Sequence, residues 1–244
     1  MRGLLAAHSR KPFEAVLFDL DGTLADTAPD LVDAANRMRA VRMLAPLPLA
    51  ALRPYASGGV PGMLRGAFEM DRTHADFAAL CDEFRANYAA RPCERSTLFE
   101  GIEPLLGELA ARRVRWGIVT NKVTRLSAPI VAQLGLAAHA ACVVCGDTMP
   151  RKKPYPDPLL HASRLLGVAP ERIVYVGDDE RDVRAARAAR MPVVAAAYGY
   201  CGVETTPLAW KADWLVDSVA ELRVCLSGLL PDISTARKSR RAFF

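Results

Sequence analysis

Short apolar runs alternate along the chain with longer stretches in which apolar residues recur every three or four positions. The runs are Ala15–Phe18, Val114–Val119, Ala141–Val144, Ile173–Val176, Val193–Ala197 and Trp214–Val216. Each is apolar nearly throughout, as a strand covered on both faces must be, which predicts a parallel sheet. Between them, Glu103–Ala111, Leu126–Leu134, Pro158–Leu166, Asp179–Ala189 and Ser218–Leu226 carry helical spacing. This repeated order predicts an α/β fold built on a Rossmann-like, doubly wound parallel sheet.

The segment from Thr27 to Thr97 breaks the alternation. It holds several helical patterns, no strand and a Pro/Gly-rich stretch from Pro46 to Gly62. Because the alternation resumes at Gly101, this reads as a helical domain (27–97) inserted into a core made of 1–26 and 98–230. A polar, basic tail follows at 231–244. Phe68, Phe77, Phe84 and Tyr88 stand at roughly helical spacing and are expected to form the insert's own core.

Composition narrows the possibilities. Of 244 residues, 51% are hydrophobic and 24% charged, which excludes a mainly disordered chain. The net charge of +5 resides in the tails: Arg2, Arg10 and Lys11 at the start and Arg237, Lys238, Arg240 and Arg241 near the end leave the body two units negative. The expected partners therefore include no nucleic acid. No run approaches the roughly 18 apolar residues of a membrane span, and Leu4–Ala7 is too short for a secretory core, so no membrane partner and a cytoplasmic location are expected. Six scattered cysteines, including Cys142 and Cys145 in an apolar run, read as reduced thiols.

The chemistry lies where the strands end. Asp19-Leu20-Asp21-Gly22-Thr23 follows the first strand, Thr120-Asn121-Lys122 the second, and Gly177-Asp178-Asp179 the Ile173 strand. In an open α/β sheet these ends converge on one crevice. Aspartates gathered there make an oxygen-rich cluster of the kind that holds a hard cation such as Mg²⁺. A single strand-end aspartate commonly just caps a helix or forms a turn; three strand ends acting together do not fit that account. A calcium loop is excluded, because Gly22 stands at position four of its segment rather than six.

Four segments in order, FDLDGTLADT (Phe18–Thr27), VTN (Val119–Asn121), RKKPYPDP (Arg151–Pro158) and VGDDERD (Val176–Asp182), resemble the haloacid dehalogenase-like hydrolases. The insert resembles the C1 cap of that superfamily. Within it the chain is similar to the phosphoglycolate phosphatase group. Ser57–Gly59, Leu98–Gly101 and Trp116–Lys122 also resemble its bacterial N-acetylmuramic acid 6-phosphate phosphatase branch.

The resemblance implies a role for each motif residue. Asp19 is expected to be the nucleophile that becomes an aspartyl-phosphate. Asp21 is the expected acid and base, its backbone carbonyl also a metal ligand. Thr120 and Asn121 are expected to bind phosphoryl oxygens, and Lys153 to pair with Asp19 and the transferring group. Asp19, Asp21 and Asp178 would hold the cofactor Mg²⁺, with Asp179 and Asp182 behind them. Arg181, Arg184, Arg187 and Arg190 recur on one helix and are expected to face solvent.

The implied reaction is hydrolysis of a small phosphorylated acid, 2-phosphoglycolate or N-acetylmuramic acid 6-phosphate, by a monomer or homodimer. A phosphosugar phosphatase, a β-phosphoglucomutase-like mutase, or a binding protein on the same fold are the alternatives. A phosphonoacetaldehyde hydrolase is excluded, because the insert contains no lysine to form its Schiff base. Both acids carry a carboxylate, for which Arg53 and Arg65 are candidate readers, while Gly58 and Gly59 would let the backbone approach the ligand. One departure from the family stands out: the helix after the fourth motif ends at Arg190 where family members usually have glycine, so a left-handed helix end is not expected.

Overall fold

The computed structural model describes residues 13–231. The basic residues at the start and those of the tail after 231 lie outside the described residues. The chain runs β1 (Ala15–Phe18), β2 (Ala25–Asp26), α1 (Ala28–Val41), α2 (Leu49–Leu52), a 3-10 stretch Arg53–Gly58, α3 (Gly59–Phe68), α4 (Phe77–Ala90) and β3 (Thr97–Leu98). There follow α5 (Ile102–Ala111), β4 (Arg115–Val119), α6 (Thr124–Gln133), β5 (Val143–Val144), α7 (Asp157–Leu166), β6 (Ile173–Gly177), α8 (Glu180–Ala188), β7 (Val193–Ala196), β8 (Trp214–Val216) and α9 (Val219–Leu229).

Six strands form one parallel sheet in the order β5-β4-β1-β6-β7-β8, the doubly wound arrangement expected from the alternation. Every residue of β1 is fully buried. Val16 and Phe18 join one apolar cluster with the insert and α5, α6 and α9, while Ala15 and Leu17 join the opposite one with α7 and α8. The two-residue side-chain period of a strand thus feeds two hydrophobic layers, and a continuous apolar run is required. The chain places β4 and β5 on one side of β1 and then returns to lay β6 on the other, so the topological switch falls at β1 and β6.

The insert is helical throughout. Helix α1 starts with Pro29 in its first turn and carries Asp30 there and Arg39 in its last, favourable at the two ends of the helix dipole. It buries Leu31, Val32, Ala34, Ala35 and Met38 against α3 and α4. The antiparallel pair β2–β3 forms the stalk through which the insert leaves and rejoins the core. Each of these two-residue strands contains a polar residue, so no apolar run marks them in the sequence as one marks β5. The stalk is pinned by Tyr200, whose hydroxyl accepts the backbone N–H groups of Thr27 (2.7 Å) and Ala28 (2.9 Å) and donates to Asp26 (3.1 Å).

The end of α8 corrects one expectation. Arg190 adopts the left-handed conformation (φ 59°) and its N–H reaches Arg187, while Met191 N–H reaches back to Ala186 O at 2.8 Å. This is the helix end that glycine normally supplies, retained with an arginine that bears the steric cost. Arg190→Gly is therefore expected to stabilise the protein by about 1 kcal/mol, the relief of the left-handed strain being partly offset by a freer unfolded chain. Thermal denaturation checks this, with a rise of about 2–4 °C expected at this chain length.

Candidate active site

Strands β4, β1 and β6 are neighbours, so the segments that leave their carboxyl ends lie side by side. Asp19 N–H bonds to Val176 O at 2.9 Å and Thr120 N–H to Val144 O at 2.9 Å, which fixes both residues at the sheet edge. Above them, between sheet and insert, lies a cavity of about 590 Å³ lined by Asp19, Asp21, Thr120, Lys153 and Asp178.

Lys153 is the hub. Its ammonium lies 2.9 Å from Asp19 Oδ1 and donates to Asp182 Oδ1 at 2.6 Å, to the Tyr175 hydroxyl at 2.9 Å and to Val119 O at 2.9 Å. Burial alone would lower its pKa, but Asp182 and Asp19 outweigh that and hold the lysine charged, above its ordinary value. Its backbone is clamped by Asn121, whose amide accepts from Lys153 N–H and donates to Lys153 O, both at 3.0 Å. Asn121 thus positions the lysine through its carbonyl and one amide hydrogen, which leaves its second amide hydrogen uncommitted among the described residues.

Negative charge exceeds what Lys153 can balance. Burial pushes the Asp19 carboxyl up to about 7 against the pull of Lys153, with Asp182 and Asp21 adding to the rise. Burial, then Asp19 and Asp182, lift Asp178 well above the usual carboxylate range. Asp178 accepts from Thr23 Oγ1 (3.2 Å) and Tyr200 N–H (2.8 Å), and it has no ion-pair partner among the described residues. Carboxylate oxygens of Asp19, Asp178 and Asp182 lie within 4.8 Å of one another. With Asp182 held by Lys153, the hard oxygens of Asp19 and Asp178 remain as a donor set suited to a small divalent cation.

Two glycines make this approach possible. A Cβ on Gly22 (φ 84°) would fall 2.1 Å from Asp178 Oδ2, and one on Gly199 would fall 2.3 Å from Asp178 Cβ. Neither was singled out as a site residue in the sequence, although Gly22 lies in the first motif. Lys122 also emerges only here. It donates to Asp21 Oδ1 at 2.5 Å, Thr27 Oγ1 donates to the same oxygen, and its ammonium stands 4.7 Å from the centre of the Tyr88 ring. The signal was its place directly after the second strand-end motif. Thr120 Oγ1 accepts Lys122 N–H at 3.1 Å, which leaves the threonine proton available to a ligand.

Other expected residues lie elsewhere. Arg65 is exposed, pairs with Glu204 at 3.0 Å and lines a neighbouring cavity of about 470 Å³. Arg53 pairs with Asp26 at 2.8 Å and packs over Tyr200, so it braces the stalk. Neither lines the cavity above Asp19, because the fold gives each a nearer partner. Gly58 and Gly59 do line it, with open space at both Cβ positions. Asp179 caps α8 together with Asp182 and accepts from Arg181 and Ser57 Oγ. Arg181 was expected on the solvated face. It instead donates to Asp179 (2.7 Å) and to Ser57 O (2.5 Å), tying core to insert, whereas Arg184, Arg187 and Arg190 are exposed. Phe77, Phe84 and Tyr88 do double duty, packing inside the insert and forming the cavity wall.

A family model described as haloacid dehalogenase-like hydrolase matches residues 16–196. The chain belongs to the haloacid dehalogenase-like hydrolases. Relatives of this hydrolase include a phosphoglycolate phosphatase of Xanthomonas campestris pv. campestris, 47% identical over 211 residues, covering 85% of this chain and 94% of that one. An N-acetylmuramic acid 6-phosphate phosphatase of Pseudomonas putida is 41% identical over 216 residues, covering 88% and 97%. Among solved structures, that of a predicted phosphoglycolate phosphatase from Haemophilus somnus 129PT superposes with a TM-score of 0.76 at 27% identity, covering 89% and 99%. CbbY from Rhodobacter sphaeroides in complex with phosphate superposes with a TM-score of 0.68 at 26% identity, covering 86% and 96%.

Removing the hub of this hydrolase should be costly. Lys153→Met strands two buried carboxylates and is expected to destabilise the fold by about 3–5 kcal/mol, measured by chemical denaturation. Gly22→Ala is expected to lower the melting temperature, because its Cβ would meet Asp178 and the backbone there is left-handed, measured by thermal denaturation.

Proposed function

We propose that the protein is a Mg²⁺-dependent phosphomonoesterase of a small phosphorylated acid, 2-phosphoglycolate or N-acetylmuramic acid 6-phosphate, working in the reducing cytoplasm that suits its six free thiols. The observation that carries this reading is the pair of carboxylates with separate partners. Asp19 lies against Lys153, and Asp21 against Lys122 and Thr27.

In this reading an Asp19 oxygen attacks phosphorus, and the bond from phosphorus to the ester oxygen breaks in line. Asp21 gives its proton to the departing alcohol oxygen. It then takes a proton from water as that water attacks the aspartyl-phosphate, releasing phosphate and restoring Asp19. Lys153 and the free proton of Thr120 hold the phosphoryl oxygens, stabilising charge that spreads over them in the transition state. Lys122 and Thr27 keep Asp21 oriented between the two steps. Mg²⁺ would be held by Asp19, Asp178 and the backbone carbonyl of Asp21, and when bound it supplies the positive charge that this excess of carboxylates and a phosphate both require. A non-catalytic protein would have no physical use for so costly a cluster of like charges.

Phosphate release from the two acids, with Mg²⁺ and purified protein, tests the reading. Turnover of at least one is expected, with a loss of at least about a thousandfold in Asp19→Asn. Transfer of phosphate to a sugar in place of water would point to a mutase. A second expectation concerns stability. Asp19 has a folded pKa raised above its unfolded value, so its contribution in the absence of cation is lost as pH climbs from about 4 towards about 7. A fixed Mg²⁺ concentration of about a hundred times the dissociation constant at pH 8 should add about 2.7 kcal/mol there, a rise of several degrees in Tm, and less at pH 5, where protons compete for the same carboxylates. Asp178→Asn should abolish that response.

A further inference from the structure

Besides Lys153 and Lys122, the cavity above Asp19 is lined by further cations. Arg72, in the turn after α3, and Arg85 of α4 line it from the insert, and Lys152 lines it from the core beside Lys153. Among the described residues neither Arg72 nor Lys152 has an ion pair or a hydrogen-bonded carboxylate. Arg85 pairs only with Asp82, three residues back on its own helix, whose side chain is 80% exposed. Arg181, lining the same cavity, is already taken up by Asp179. Burial first, and then Arg181, Arg72 and Arg85, hold the Lys152 ammonium below its ordinary value, as expected of cations that crowd one another.

Two cations without a carboxylate partner among the described residues, and a third paired only with an exposed one, crowd one open space and leave counter-charge to a ligand. The phosphoryl end of the cavity already has Lys153 and Thr120, so the anion that these further cations fit is a different one. Tyr88, 1% exposed, also lines the cavity, with its ring against the Lys122 ammonium. Phe77 and Phe84 add an apolar surface to the same cavity. The cavity, about 590 Å³, has room for a carbon skeleton as well as a phosphate.

We propose that Arg72, Arg85 and Lys152 form an anion subsite that reads a carboxylate on the leaving-group alcohol, with Phe77 and Phe84 packing the carbons between. The proposal rests on the phosphomonoesterase reading and assigns carboxylate recognition to residues other than Arg53 and Arg65. Guanidinium groups suit the task, because each can donate two parallel hydrogen bonds to a carboxylate.

The test uses the full chain with Asp19→Asn and Mg²⁺, so that ligands bind without turnover, and measures affinity by calorimetry for two matched pairs. These are 2-phosphoglycolate against 2-hydroxyethyl phosphate, and N-acetylmuramic acid 6-phosphate against N-acetylglucosamine 6-phosphate. The acid of at least one pair is expected to bind about tenfold to a hundredfold more tightly than its neutral partner. Adding Arg72→Met, Arg85→Met and Lys152→Met together should shrink that gap to less than about threefold. Lys152→Met alone, which removes no ion pair among the described residues, should narrow it in part. No gap in either pair, or a gap that survives these substitutions, overturns the subsite. Phosphate release by the wild type, measured separately, distinguishes the two readings: release without discrimination sinks the subsite alone, and discrimination without release sinks the reaction while upholding the subsite.

Discussion

One buried ammonium organises the site. Lys153 joins the end of β1 through Asp19, the end of β4 through Val119 O, β6 through the Tyr175 hydroxyl and α8 through Asp182. A lysine this deep stays charged only because carboxylates surround it, and carboxylates this deep persist only because the lysine is there. The arrangement is still short of positive charge. Asp178, adjacent and without a cation of its own, carries the surplus that a divalent ion would meet.

Around that centre the backbone is shaped to let carboxylates come close. Gly22 and Gly199 leave space that a methyl group would take from Asp178, and Asn121 fixes the backbone of Lys153 from both sides. Such preorganisation places the cost of gathering like charges in folding, so that little rearrangement remains for the reaction itself.

The insert joins the core at two kinds of contact. At the stalk, Tyr200 gathers Thr27, Ala28 and Asp26, and Arg53 neutralises the aspartate. Across the cavity mouth, Asp179, Arg181 and Ser57 form a polar bridge. Contacts of the second kind are polar and partly exposed, the sort that water can replace when two bodies separate to admit a ligand. The result is a cavity with a cluster of carboxylates on the core and cations contributed by both core and insert.

The apolar runs were enough to read the sheet and the helical insert, the strand-end motifs pointed to Asp19, Asp21, Thr120 and Asp178 as candidates, and Lys153 came from the family resemblance alone. Burial on both faces imposes a continuous apolar pattern on each strand, and chemistry at a strand end needs particular side chains at fixed spacing, so both are local properties of the chain. Partnerships across the fold are not. Lys122 meets Asp21 over 101 residues and Ser57 meets Asp179 over 122, distances at which no periodicity operates. The left-handed turn at Arg190 escaped for the opposite reason: local preference opposed it, and the packing of Met191 and the bond from Met191 N–H to Ala186 O overrode that preference. Which arginines face the ligand was likewise decided by tertiary structure alone. Arg53 and Arg65 look no different in sequence from Arg72 and Arg85, and only the fold gives the first pair carboxylates from distant segments while turning the second pair towards the cavity.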